Sequence, residues 1–176
     1  MNSQLPNREQ AIKLLKENSV PSQVINHCLA VTDFALDLAG KLEKSGQKIN
    51  LDLVEAGALL HDLGRSKTNS VDHSLVGAQI AQTLELPQPV IDIIKRHVGA
   101  GITEAEAQML GWPKDNYVPQ TLEEKIVCYA DKRIDQGKVV PIENEIRRLQ
   151  SEGKAAAAER VRRLHEEITS ILGDVL

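Results

Sequence analysis

Apolar residues recur at steps of three and four along most of this chain, the spacing of a single buried helical face. Asn7 can cap a first short helix over REQAIKLLKEN. From Pro21 onward, Val24, Cys28, Val31, Ala35, Leu38 and Leu42 form one long stripe, and Gly46 is expected to end it. Proline suits a first helical position because its missing N–H has no intrahelical partner there. His27 stands three residues after Val24 and four before Val31, which puts it on the inner face. Asn50 opens a third segment, apolar almost all round and so expected at the centre of the fold. Leu51, Val54, Ala58 and His61 share one side of it, and Gly64 is predicted to cap its C-terminus in a left-handed turn.

The pattern continues. Asp72 is predicted to open a fourth helix with His73 in its first turn, where the positive helix end favours a neutral imidazole. Pro89 starts a fifth, on which Val90, Ile94 and His97 align, and the glycine-rich stretch 99–101 breaks it. TEAE at 103–106 and TLEE at 121–124 match the capping box, so helices should begin at Thr103 and Thr121. The helix after Thr121 carries Leu122, Ile126, Tyr129, Ala130 and Ile134 inward, with Asp131 on its inner shoulder. From Pro141 the chain reads as one or two amphipathic helices with Gly153 as a break, and His165 reads as an exposed residue of that outer layer. Between the two capping boxes lies GWPKDNYVPQ, the one sizeable loop with aromatics. Trp112 and Tyr117 read as anchors packed against the body, with stacking on a nucleobase as the alternative. The expectation is an all-α bundle of roughly seven to nine helices.

Composition narrows this further. A chain of 176 residues suits one domain, residues 1–176, with a full-sized core. One Phe, one Trp and two Tyr are its whole aromatic set, so the core is aliphatic and suits close helix packing. Cys28 and Cys128 sit in apolar context and read as reduced core residues rather than a disulfide framework. No run approaches the about 18 apolar residues of a membrane span, and the N-terminal decapeptide lacks a signal-peptide core, so a cytoplasmic protein is expected. A net charge of −4 argues against general nucleic-acid binding, and the paired arginines 147–148 and 162–163 alternate with Glu as solvated faces do.

The chemistry lies in His61-Asp62, which closes the apolar run LVEAGALLHDLGR. His27 precedes it, and His73, His97 and Asp131 follow. Polar side chains at the end of a buried helix need partners. Imidazole and carboxylate are donors for divalent transition metals, and six of them could hold two ions across a shared carboxylate.

In these residues the chain resembles the HD-domain superfamily of metal-dependent phosphohydrolases, in particular its small stand-alone HDIG-type members. The resemblance rests on His27, HDLGR at 61–65 and EKIVCYADK at 124–132. VDHSLVGAQIA at 71–81 and IIKRHVGAGIT at 94–103 are similar to the added blocks of the two-metal branch. The likeness covers roughly residues 20–136. The helices over 141–173 lie outside it as an extension that could serve oligomerisation or a lid.

The resemblance implies that His27, His61, Asp62 and Asp131 hold one metal, and that His73 and His97, with Asp62 as bridge, hold a second. Fe, Mn, Zn, Co or Ni would fit such ligands, as one ion or two. It implies hydrolysis of a phosphoester or phosphoanhydride in a small phosphorylated molecule, a nucleotide above all, by a metal-bound hydroxide. Asp62 and Arg65 would serve catalysis, and Arg65, Lys67 and Lys132 would contact substrate. Gly64, Arg65 and Ser66 stand where guanosine tetraphosphate hydrolases of the superfamily carry acidic residues, and no GYP motif follows His97. Two other readings share the ligand order: a di-iron oxygenase of the same fold, and a non-catalytic nucleotide sensor.

Overall fold

The computed structural model describes residues 4–173. The first and last three residues of the expected 1–176 domain lie outside the described residues. Nine α-helices are present among the described residues: α1 (Arg8–Glu17), α2 (Ser22–Lys44), α3 (Leu51–Leu60), α4 (His73–Thr83), α5 (Gln88–Arg96), α6 (Glu104–Met109), α7 (Leu122–Lys132), α8 (Ile142–Ser151) and α9 (Ala155–Leu172). A two-residue antiparallel hairpin, β1 (Ile134–Asp135) and β2 (Lys138–Val139), joins α7 to α8. The fold is the all-α bundle the periodicity implies.

Helix starts follow local chemistry. Asn7 and Thr103 both form complete capping boxes, with Gln10 and Glu106 returning the bond. Asn50 caps α3 by accepting from the Leu53 N–H. Thr121 accepts from the Glu124 N–H, but the Glu124 carboxylate takes Gln120 N–H and Arg96 instead of closing the box. Pro21 sits one position before the first helical residue of α2, and Gly46 follows that helix with φ 91°. Asp72 makes no capping bond at α4; its carboxylate accepts from the Trp112 indole at 2.7 Å and from Ser70.

Helix α3 is central, packed against α1, α2, α5 and α7, and seven of its ten residues are buried. Its apolar surround therefore reports its position correctly, although Leu51, at the first turn, is exposed. Trp112 and Tyr117 are buried and pack edge-to-face, with Ala107 beside them, in a small second core. They are anchors, and neither ring is free to stack on a base. His165 departs from expectation: it is half-buried, its ring stacks on Tyr129 at 5.8 Å, and its Nδ1 shares a hydrogen bond with the Tyr129 hydroxyl at 2.8 Å. The local charges around His165 report only its helix neighbours and hide this long-range partner.

Gly64 is also not the cap the sequence suggests. It lies in a 3-10 turn over Leu63–Ser66, and a Cβ there would collide with the His73 carbonyl oxygen and lie 2.6 Å from Gly77 N. A Cβ on Gly77 would meet Gly64 N at 3.0 Å and Ile94 Cγ2 at 2.9 Å. Two glycines face to face thus let the turn after α3 touch the backbone of α4. That approach sets His73 beside Asp62.

Candidate metal centre

The histidines converge by one repeated device. His61 ends α3, His97 ends α5 and His73 begins α4. Their Nδ1 atoms lie 2.7, 2.8 and 2.7 Å from the carbonyl oxygens of Ala58, Ile94 and Ser70, each three residues earlier. A carbonyl oxygen only accepts, so Nδ1 carries the proton in all three rings. The neutral imidazole then has its lone pair on Nε2, and every Nε2 points inward. Backbone bonds of this kind set tautomer and ring orientation at metal sites.

Those lone pairs meet each other and a carboxylate. His73 Nε2 is 3.0 Å from His97 Nε2, and the two lie 3.2 and 3.6 Å from Asp62 Oδ1. His61 Nε2 is 3.5 Å from Asp131 Oδ1 and 3.7 Å from Asp62 Oδ2. His27, from α2, places Nε2 3.0 Å from Asp131 Oδ1. Both His61 Nε2 and Asp62 Oδ1 are buried without a hydrogen-bond partner. Acceptors packed against acceptors repel unless a cation lies among them. The donor set therefore fits a divalent metal. Among the described residues, His27, His61 and Asp131 form one group that could hold an ion, and His61, Asp62 and His97 another.

Electrostatics agree. Burial opposes charge on His61, but Asp62, Cys28 and Asp131 together outweigh it and hold that pKa well above the usual imidazole value. Positive charge at Nε2 is thus favoured, and a divalent ion there would take the place of a second ring proton. Burial likewise favours neutral Asp62 and Asp131. His61, with the His73 and His97 rings, nevertheless keeps Asp62 well below the carboxylate range, and Lys132 with His27 does so for Asp131. Burial, with His61 and His73 nearby, lowers His97 to about 4, which leaves it neutral and available as a ligand at pH 7.

Of the other sequence-selected residues, Arg65 donates from Nε to Asp62 Oδ2 at 2.8 Å and lines the adjoining cavity. Lys132 is buried. Its ammonium donates to Asp131 Oδ2 at 2.6 Å and to the His97 carbonyl at 3.0 Å, and burial is outweighed by Asp131 so that its pKa rises. Lys67 is exposed and stands outside the cavity wall. Sequence reasoning missed the thiol of Cys128, which donates to the same His97 carbonyl, and the buried Arg96–Glu124 pair at 2.9 Å. Position next to a candidate ligand was the only available signal for either. An open cavity of about 1010 Å³ starts at the cluster and reaches α8, the turn after it and α9, where Arg148, Lys154 and Arg160 line it. Those helices had read as an outer layer.

Among the described residues no helix is long and apolar enough to cross a membrane. A protein of Methanocaldococcus jannaschii, MJ0778, is 41% identical over 166 residues, 93% of this chain and 98% of its own. The tRNA (cytidine(56)-2'-O)-methyltransferase of Picrophilus torridus is 37% identical over 169 residues, which is 96% of this chain. The chain spans about half (48%) of that methyltransferase's length. The HD domain of the L. monocytogenes phosphodiesterase PgpH, solved in complex with cyclic-di-AMP, superposes with a TM-score of 0.57 at 20% identity, covering 90% of this chain and 96% of that one. This last likeness concerns the fold. The family model of the HD domain matches residues 24–134, which take in every residue of the cluster, and the chain belongs to the HD domain family.

Proposed function

We propose that this protein is a metal-dependent phosphohydrolase whose substrate is a phosphodiester between nucleosides. The observation that carries the reading is the inward set of imidazole lone pairs around the partnerless Asp62 Oδ1. Family membership supports it, as does a fold neighbour that is a phosphodiesterase with a cyclic dinucleotide bound. His27, His61, Asp62 and Asp131 would hold one ion, and His73 and His97, sharing Asp62, a second. Bound divalent metal supplies Lewis-acid polarisation of a phosphoryl oxygen and activation of water.

The remaining groups have separable roles. Arg65 steadies Asp62 through Nε, reaches the Asn69 carbonyl from Nη1 at 3.4 Å, and lines the cavity, where a planar fork suits phosphate oxygens. Lys132 is committed to Asp131 and the His97 carbonyl, so its part is to hold Asp131 with Oδ1 turned toward His27 and His61. Lys67 has no part in this scheme.

The test is phosphate-bond cleavage by Mn- or Fe-loaded protein across mononucleotides, linear and cyclic dinucleotides and dinucleoside polyphosphates. The Asp62→Ala variant is assayed beside it. Cleavage that disappears in the variant together with bound metal is the expected result. Undiminished activity in Asp62→Ala, or oxygen consumption without phosphoester cleavage by the iron-loaded protein, would overturn the reading.

A further inference from the structure

The family match ends at residue 134, yet the cavity that opens on the cluster does not. Its far wall comes from α8 and from the start of α9, elements joined across the left-handed Gly153. At about 1010 Å³ it lies at the top of the roughly 300–1,000 Å³ range of small-ligand sites. A lone phosphomonoester at the cluster would leave most of it empty.

The far wall carries three cations, Arg148, Lys154 and Arg160, beside two carboxylates, Glu106 and Glu145. Arg148 and Lys154 line it with side chains 53% and 59% exposed. Both are paired with Glu152, which points from the end of α8, and Arg148 also with Glu145. Glu145, 14% exposed, holds Arg148 through Nε and Nη2, whereas Glu152 takes only Arg148 Nη1 and Lys154 Nζ. Exposed pairs of this second type are worth about 0–1 kcal/mol, so an incoming phosphate can exchange for Glu152 at little cost. Arg160 is different: both Glu106 oxygens hold it at 2.9–3.0 Å, and it ties α9 to α6. Ala155, Ala156 and Ala157 line the cavity between these cations, and the first turn of α9 has no side-chain cap. Val71, Ile102, Met109 and Leu110 give the cavity an apolar stretch of wall, with Met109 80% exposed.

We propose that α8 and α9 form a distal phosphate subsite, in which Arg148 and Lys154 receive a second phosphate of a substrate whose scissile diester lies at the metal cluster. The inference rests on the phosphodiesterase reading above and names its substrate class: linear dinucleotides or oligonucleotides bearing a phosphate one nucleoside away from the bond cut. The apolar stretch accommodates the intervening nucleoside. Arg148 and Lys154 are specificity-determining residues. They do not touch the reacting atoms.

The experiment compares wild type with the double variant Arg148→Ala/Lys154→Ala, both metal-loaded. Equilibrium binding of the dinucleotide pApA and of ApA, which lacks the 5′-phosphate, is measured by calorimetry. Hydrolysis of bis(p-nitrophenyl) phosphate, which has no distal phosphate, is measured alongside. The expected result is a weakening of pApA binding by about tenfold or more, with ApA changed less than about twofold. Arg148→Lys with Lys154 intact should recover most of the affinity. Equal pApA binding in the two proteins, or an equal loss for pApA and ApA, would overturn the subsite. Hydrolysis of the synthetic diester reports on the parent reading separately. If wild type fails to cleave it while the pApA difference persists, the subsite stands and the phosphodiesterase reading falls.

Discussion

A single methyl group at position 64 should dismantle the metal centre while leaving most of the bundle folded. In Gly64→Ala the new Cβ would collide with the His73 carbonyl oxygen and lie 2.6 Å from Gly77 N and 2.9 Å from the His73 carbonyl carbon. All three are backbone atoms, so no rotamer change relieves the overlap. Ordinary contact distances of about 3.5–4.0 Å require α4 to retreat by about 1.5–2 Å from the carbonyl contact. His73 Nε2 now sits 3.2 Å from Asp62 Oδ1, and metal ligands tolerate only about 0.2 Å of error.

Overpacking of a core typically costs about 1–3 kcal/mol, and backbone against backbone belongs at the upper end. For a chain of this size that is a fall in Tm of roughly 2–4 °C per kcal/mol. Two other glycines calibrate the result. A Cβ on Gly40, within α2, meets nothing within 4 Å, so Gly40→Ala should stabilise by about 0.5–1 kcal/mol. For a Cβ on Gly57 the three nearest atoms all belong to the Ile93 side chain, which can shift. Gly57→Ala should therefore destabilise yet keep its metal. The assay is urea unfolding of all three variants, with Mn or Fe content measured after dialysis. Metal lost selectively from Gly64→Ala is the expected outcome. A Gly64→Ala protein with wild-type midpoint and wild-type metal content would refute the reasoning.

Arg96→Ala should cost about 3–5 kcal/mol in urea unfolding, because it strands the Glu124 carboxylate, whose side chain is 5% exposed. Adding Glu124→Gln should recover part of that loss, and a cost below about 1 kcal/mol for the single variant would contradict the buried-pair account. Both cysteines are buried, and burial pushes the Cys128 thiol up to about 11. Native protein at pH 8 should therefore resist a disulfide-exchange reagent and expose two thiols in urea; rapid labelling of folded protein would show the core to be looser than described. In chelator-treated protein His97 titrates near 4, below its unfolded value of about 6.5. Its contribution is thus full above about pH 6.5 and lost as pH falls toward 4. The urea midpoint should decline across that window in wild type and less steeply in His97→Gln; parallel curves would rule this origin out.

Much of the bundle was legible in the sequence because its causes are local. Asn7, Asn50 and Thr103 cap their helices through N–H groups three residues on, and Gly153 breaks the last segment within one turn. The stripe from Val24 to Leu42 and the apolar surround of α3 reported burial for the same reason. The six donors could be named from residue type and order. Their geometry could not, since His27 and Asp131 meet at 3.0 Å across 104 residues, and only packing sets such a distance. Tertiary structure likewise decided that Gly64 is a point of backbone contact, that Asp72 serves Trp112, and that His165 stacks on Tyr129. The hairpin at 134–139 is too short to leave a period in the sequence. The C-terminal helices show why the division falls where it does. Their alternating charges announce an amphipathic surface, but only the fold turns that surface toward the cluster and makes it the far wall of the cavity.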